Sequence, residues 1–506
     1  MGCNFFFLPA PAGGTTPKGV TQMNQTPNTN KAQALASEKT ELKREVGLFG
    51  GVSVLGGIMI GSGIFYLGSI VLQRSGMSMG LALLVWALGG LVVLFSGICY
   101  AELGAMMPKA GGGYVYLREA YGERVAFMSG FSNFILGSSG SIAALAVAFP
   151  EAIASLVPLS PLACKAIAIG MIVLLSAINL FGIKLGSRIQ NFFMVLKLLP
   201  IVLIIVCGIF MGQQTPNLSL VPDPAIAGTP SLFKICGMVA FGVVATLWAY
   251  EGWTNLNTIS EEIKNPKRNL PLAIILSIVG VMLIYVLFNF AIYRTLPYET
   301  ITAMLASGDL FLGTAAANTL FGSAGKIIVG STMIVAIFSA LNGCVMVFPR
   351  TYYAMARDGA FFKSAAKLHP KYKTPVFAIV LSGVVSIVLV CMQNLSQLTS
   401  LVAFCGMFFN TMTFYAVIRL RKKYPDLERP YKVWGYPVMV VLVILITIGL
   451  LINTLVESPV TSIIGLSVPA VGLLLYELVF KKSREAVLAA QRAEAEAQAT
   501  DNKEEA

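Results

Sequence analysis

From about Val46 to about Phe480 the chain reads as long apolar runs separated by short polar segments. Twelve runs reach membrane-spanning length, roughly at 46–73, 77–101, 125–150, 162–183, 192–212, 232–259, 270–293, 326–349, 374–393, 395–418, 433–456 and 461–480. About 20 residues of helix cross a hydrocarbon core about 30 Å thick. The pattern therefore predicts an all-α membrane protein with twelve transmembrane helices. Residues 1–43 are polar, with Gly, Pro, Thr, Asn and Gln, and are expected to form a disordered N-terminal tail. Residues 44–480 form the membrane domain. Residues 481–506 are rich in Ala and Glu and are expected to form a short soluble tail.

The charges test this layout. Of the 36 Lys plus Arg, only Arg74, Lys165, Arg294 and Lys326 fall in the loops on one side of the membrane. Lys197 and Lys234 lie inside apolar runs, and all the others fall on the opposite side or in the two tails. Positive charge accumulates on the cytoplasmic face of membrane proteins. An even number of spans with both termini cytoplasmic follows. The net charge of +12 is thereby explained without nucleic acid. The composition, 56% hydrophobic and 12% charged, agrees; soluble domains carry about 25% charged residues. The start, "MGCNFF", lacks the Ser or Thr of a myristoylation signal, having Phe6 there, and lacks the apolar core of a signal peptide. Met23 is an alternative start.

Candidate chemistry is sparse. The single His, His369, sits in the basic loop "KLHPKYKTP", and the eight Cys are scattered without a CxxC. That pattern supplies no metal site, no cofactor site, no disulfide framework and no catalytic triad. A membrane enzyme is disfavoured accordingly. A membrane-bound amino acid sensor is disfavoured because the tails are too short for a signalling domain.

Two runs are interrupted by glycine. The first holds "GGIMIGSGIFYLG", Gly56 to Gly68, and the sixth holds "VVATLWAYEGWTNLN", Val243 to Asn257. Glycine clusters in spans serve close helix packing or unwound segments that line a cavity. The first and sixth runs are corresponding positions if spans 1–5 and 6–10 are two halves. Paired interruptions of that kind point to a transporter site. Glu251 then reads as cavity-facing, since an unpaired carboxylate facing lipid costs several kcal/mol; the alternative is a solvated helix end. Trp248 and Trp253 flank it. Lys197 lies within the fifth run, either functional or snorkelling to the interface. Tyr285 and Asn342 are polar groups at membrane depth, where interhelical hydrogen bonding is the simplest role. Glu102 ends the second run and is expected to be solvated.

Several ordered motifs resemble a known family. They are "GSGIF", "WALGGL…CYAELG", "GGGYVYLREAYG", "AYEGW", "EEIKNPKRNLPLAI", "LNG…R…ARDG" and "ERPYKVWGYP". Together they resemble the L-type amino acid transporter family of the amino acid–polyamine–organocation superfamily, over about residues 44 to 480. The resemblance implies a 5+5 inverted repeat with broken helices 1 and 6, and sodium-independent exchange of L-amino acids. A proton-coupled amino acid or polyamine permease is the alternative. It implies that the substrate carboxylate meets backbone amides near Gly61, Ser62, Gly63 and Ile64. The substrate amine would meet carbonyls at Met59 or Ile60 and at Trp248, Ala249, Tyr250 or Glu251, beside Gly252. Lys197 matches the family's lysine in "FxxxLKLL", where sodium-coupled relatives hold an ion, and is expected to bridge the first break to span eight. Trp248 takes the aromatic gate position, with Tyr285 and Asn342 as further coupling candidates. Animal members of this family link to a glycoprotein heavy chain through a Cys in the span 3–4 loop. Here Cys164 lies too near span four and lacks that context, so no heavy-chain partner and a bacterial-type member of the plasma membrane are expected.

Overall fold

The computed structural model describes residues 27–490 and 493, apart from 229, 393–394 and 458. Residues 1–26 of the expected N-terminal tail, and most of the C-terminal tail beyond 490, lie outside the described residues. The described chain is helical, and its strand-like pairing is a single parallel bridge between Val46 and Ile263.

The apolar runs fold as α1 (Leu48–Met59) and α2 (Gly63–Arg74), α3 (Met79–Met106), α4 (Glu123–Ala154), α5 (Pro161–Leu180), α6 (Ile183–Met211) and α7 (Leu232–Ala249). They continue as α8 (Pro266–Thr295), α9 (Ala324–Arg357), α10 (Val376–Met392), α11 (Leu395–Lys423), α12 (Val438–Glu457) and α13 (Ser462–Ala490). Among the described residues, nine helices are long and apolar enough to cross a membrane, or ten if α1 and α2 count as one bent span. α10, of 17 residues, is a shorter apolar helix, and α11 runs for 29 residues.

Local chemistry sets the helix starts. Ser78 caps α3 by accepting from the Leu81 N–H at 3.1 Å. Ser160 caps α5, with Pro161 in the first turn where its missing N–H costs nothing. Pro349 sits within α9 at the first turn after Phe348.

The outer surface is what lipid requires. On α10, Val380, Val384 and Val388 recur every fourth residue and are each about half exposed. A valine stripe of this kind is stable facing hydrocarbon and costly facing water. Inside, α1, α3, α6, α8 and α9 pack together around one continuous apolar core.

Three expectations change. The sixth run does not continue to 259: α7 stops at Ala249, and after a turn the chain resumes as a 3-10 helix, Asn255–Glu262. The expected tail is folded from Pro27 on. Pro27–Ala36 is a helix, and residues 37–46 lie across the bundle, with Lys109 Nζ donating to the Ser37 carbonyl at 2.7 Å and Leu42 buried. At the other end, 481–490 continue α13 and dock through Arg484, which donates to Glu123 and to the Asp358 carbonyl at 2.7 Å each.

Candidate functional site

The first break is short. α1 and α2 meet at 54°, with Ile60 in a non-helical conformation between them. The N–H groups of Ser62, Gly63 and Ile64 open α2 without a backbone acceptor. A helix N-terminus with unfilled donors carries about half a positive charge and suits a carboxylate.

The second break is held by Gly252, which has φ +109. An added Cβ there would stand 2.4 Å from Ile58 Cγ2 of α1. Both the backbone angle and the close approach therefore require glycine. The two interruptions, remote in sequence, touch at this point.

A cavity of about 320 Å³ lies between the breaks. That is the low end of small-molecule sites. Of the candidates from sequence, Met59, Gly61, Ser62, Gly63, Trp248, Ala249, Glu251 and Gly252 line it. Ile60, Ile64 and Tyr250 do not. The Ile60 and Ile64 side chains are turned into the core, leaving only their backbone groups near the break. The Tyr250 ring packs on Trp86 and Tyr285, and its hydroxyl donates to the Trp86 carbonyl at 3.1 Å. A second, smaller cavity of about 160 Å³ shares Trp248, Glu251 and Asn410 with the first.

Two side chains grip the breaks from behind. Tyr285 Oη on α8 lies 2.8 Å from the Met59 carbonyl and 2.8 Å from the Ala249 carbonyl, so one hydroxyl joins the ends of α1 and α7. Lys197 is fully buried on α6, which removes the snorkelling alternative. Its Nζ donates to the Gly57 and Ile60 carbonyls at 2.7 Å each. Both acceptors belong to the first break, and no bond to α9 is made, so the expected bridge to span eight is corrected. No carboxylate lies within ion-pair distance of Lys197 among the described residues; its charge is met by backbone dipoles. The Met59 carbonyl also accepts from the Gly61 N–H at 3.0 Å. The Tyr285 hydroxyl has one proton and so serves the Met59 or the Ala249 carbonyl at a time, while the Ile60 carbonyl accepts from Lys197.

The family model for amino acid permeases matches residues 46–475 of this chain. The chain belongs to the amino acid permease family. It is 34% identical over 444 residues, 87% of the chain and 98% of the relative, to the serine/threonine exchanger SteT of Bacillus subtilis. It is 31% identical over 438 residues to human b(0,+)-type amino acid transporter 1, covering 84% and 86% of the two chains. It is 30% identical over 482 residues to mouse large neutral amino acids transporter small subunit 2, covering 91% and 87%. The resemblance read from the motifs is thus correct at family level: this is a multi-pass membrane permease for amino acids and not an enzyme.

In this permease three of the motif carboxylates, Glu102, Glu261 and Glu262, are held in ion pairs. Glu102 is 1% exposed, not solvated as expected from its place at a run's end. Arg421 holds it with two bonds of 2.8 and 2.6 Å, and the Val433 N–H donates to it at 2.7 Å. Glu262 and Arg350 form a fully buried two-pronged pair at 2.7 and 3.0 Å, joining the 3-10 helix after the second break to α9. Its neighbour Glu261 accepts from Thr40 at 2.7 Å and pairs with Arg357 at 3.3 Å. Arg44 donates to the Ile263 carbonyl at 2.8 Å. These contacts tie the segment after the second break to α9 and to the chain before α1.

Sequence reasoning missed Tyr66, Cys344, Phe348 and Asn410, which also line the cavity. Asn410 was findable by the criterion that selected Asn342, an amide inside an apolar run. Tyr66 and Phe348 carried no signal, since aromatic residues are common in spans.

Proposed function

We propose that this permease is a sodium-independent exchanger of L-amino acids in the plasma membrane. Residues 44–480 would form its transporter domain, with twelve spans in a 5+5 inverted repeat and both termini cytoplasmic. α1 with α2 counts as the first span, and α7 with the 3-10 helix as the sixth. The observation that carries the reading is the Lys197 ammonium on the Gly57 and Ile60 carbonyls. Such carbonyl oxygens would otherwise suit a sodium ion, and a fixed cation leaves no need for one. The 34% identity to the serine/threonine exchanger SteT supports exchange. The substrate carboxylate would sit on the open N-terminus of α2. Its ammonium would use the remaining lone pairs of the Ile60 and Ala249 carbonyls.

Preloaded amino acid should leave proteoliposomes only when external amino acid is supplied, at the same rate in sodium and in choline. A sodium-dependent uptake current would overturn the proposal. Uptake into empty vesicles driven by a pH gradient would identify a proton-coupled permease instead.

Glu251 lines the cavity with no Lys or Arg within ion-pair distance among the described residues. Small or medium neutral amino acids are the proposed substrates, with glutamate and aspartate excluded. Two unit charges ~6 Å apart at an effective dielectric of ~20 interact by roughly 3 kcal/mol, and a third of that shifts selectivity about fivefold. Glu251→Gln should therefore weaken competition by arginine more than competition by neutral amino acids. Strong inhibition of neutral uptake by glutamate in the parent would show that Glu251 does not face the substrate side chain. No glycoprotein heavy chain is proposed as a partner. Cys164 lies in the first turn of α5.

A further inference from the structure

Below Lys197, three buried carboxamides form a chain across four helices. Asn179 of α5 donates to the Leu175 carbonyl at 2.9 Å and to Asn342 Oδ1 at 3.2 Å. Asn342 of α9 donates to Gln190 Oε1 at 2.8 Å and to the Gly186 carbonyl at 3.3 Å. Gln190 of α6 donates to the Ser53 carbonyl of α1 and to Ser339 Oγ of α9, each at 3.3 Å. All three are at most 1% exposed. An amide's orientation is set by its partners, and here each link supplies an acceptor to the previous one.

The chain ends on α1, the helix that carries the first break. Gln190 and Lys197 are two helical turns apart on α6 and so share a face. Both donate to α1 carbonyls: Gln190 to Ser53, Lys197 to Gly57 and Ile60. Room for the Gln190 amide is made by glycine. A Cβ on Gly57 would stand 1.9 Å from Gln190 Nε2, and one on Gly343 3.3 Å from it. A side chain this long, fully buried and threaded past two glycines, is a built contact.

We infer that Gln190 is a positioning residue for transport: it fixes where α1 rides against α6 and α9, and so where the first break lies relative to Lys197. Asn342 acts through it, by holding its Oε1 so that the amide nitrogen faces α1. Gln190 is not among the residues that line the cavity. Exchange requires α1 to move relative to α6 and α9. Two moderate bonds of 3.3 Å suit a contact that is broken and remade in each cycle.

The inference rests on the exchange reading, and the experiment separates the two. Parent, Gln190→Met, Asn342→Ala and the double variant are compared in proteoliposomes for exchange rate, and in detergent for equilibrium binding of the same labelled amino acid. Methionine keeps the length and the unbranched shape that the glycines admit. Gln190→Met is expected to lower the maximal exchange rate about tenfold, the scale of one or two buried hydrogen bonds lost from a moving contact, with binding changed less than about twofold. The double variant should be no slower than Gln190→Met alone. A Gln190→Met rate within about twofold of the parent overturns the inference. So does a loss of binding that matches the loss of rate, or additive losses in the double variant. If Gln190→Met does not fold, Asn342→Ala leaves the glutamine in place and decides alone, with a parent-like rate counting against the inference. A parent that does not exchange at all sinks the exchange reading instead.

Discussion

Lys197→Ala is expected to reduce exchange about a hundredfold while the protein continues to fold and to reach the membrane. Two charge-assisted bonds of 2.7 Å to the Gly57 and Ile60 carbonyls disappear. Each such bond contributes ~1.5–3 kcal/mol. If about 3 kcal/mol of that total is specific to the conformation that must form during transport, the rate falls by about two powers of ten. Stability need not fall in parallel. The ammonium is buried without a carboxylate, so its removal also relieves a desolvation cost. Initial exchange rates at matched protein amounts, set beside thermal melting in detergent, distinguish the two effects. An alanine variant that exchanges at close to the parent rate would mean that Lys197 is a packing residue.

The second large effect concerns the buried pair of Glu262 and Arg350. Arg350→Met should destabilise the protein by about 3–5 kcal/mol, because Glu262 is left as an unpaired charge in a site closed to water. The double variant Arg350→Met with Glu262→Met should recover most of that loss, since a buried pair contributes little beyond an apolar pair of similar volume. Melting temperatures of the two singles and the double test this directly. A double variant no more stable than Arg350→Met would show that the arginine acts through its bond to the Met346 carbonyl or through packing, and not by neutralising Glu262.

Much of this architecture was legible in the chain because lipid imposes simple rules. The helices α3, α5 and α8 follow the apolar runs closely, since a backbone in hydrocarbon must satisfy its hydrogen bonds within the helix. The two interruptions were legible for the converse reason: glycine in a span is conspicuous. Lys197 and Glu251 stood out as ionisable groups in oil. What the runs could not show was direction. Ile64 and Ser62 are neighbours in the same motif, yet one side chain faces the core and the other the cavity. Glu102 looked like a solvated helix end because its partners, Arg421 and the Val433 amide, come from far along the chain. Gln190 was passed over for a different reason. It lies just outside the expected fifth run, and only the fold brings it to the Ser53 carbonyl.

The end of the cavity near the breaks is made largely of main chain, at Gly61, Gly63 and Gly252. Glycine is already the smallest residue, so mutation there can only take volume away. An alanine at 61 meets nothing within 4 Å and would simply occupy space now open to substrate; at 252 it would collide with Ile58. Enlargement has to come from lining residues whose side chains can shorten, Tyr66, Trp248 and Phe348 among them. Descendants of this chain therefore have asymmetric options: a preference for bulkier amino acids can evolve only where side chains form the wall, whereas a narrower preference can arise at either end.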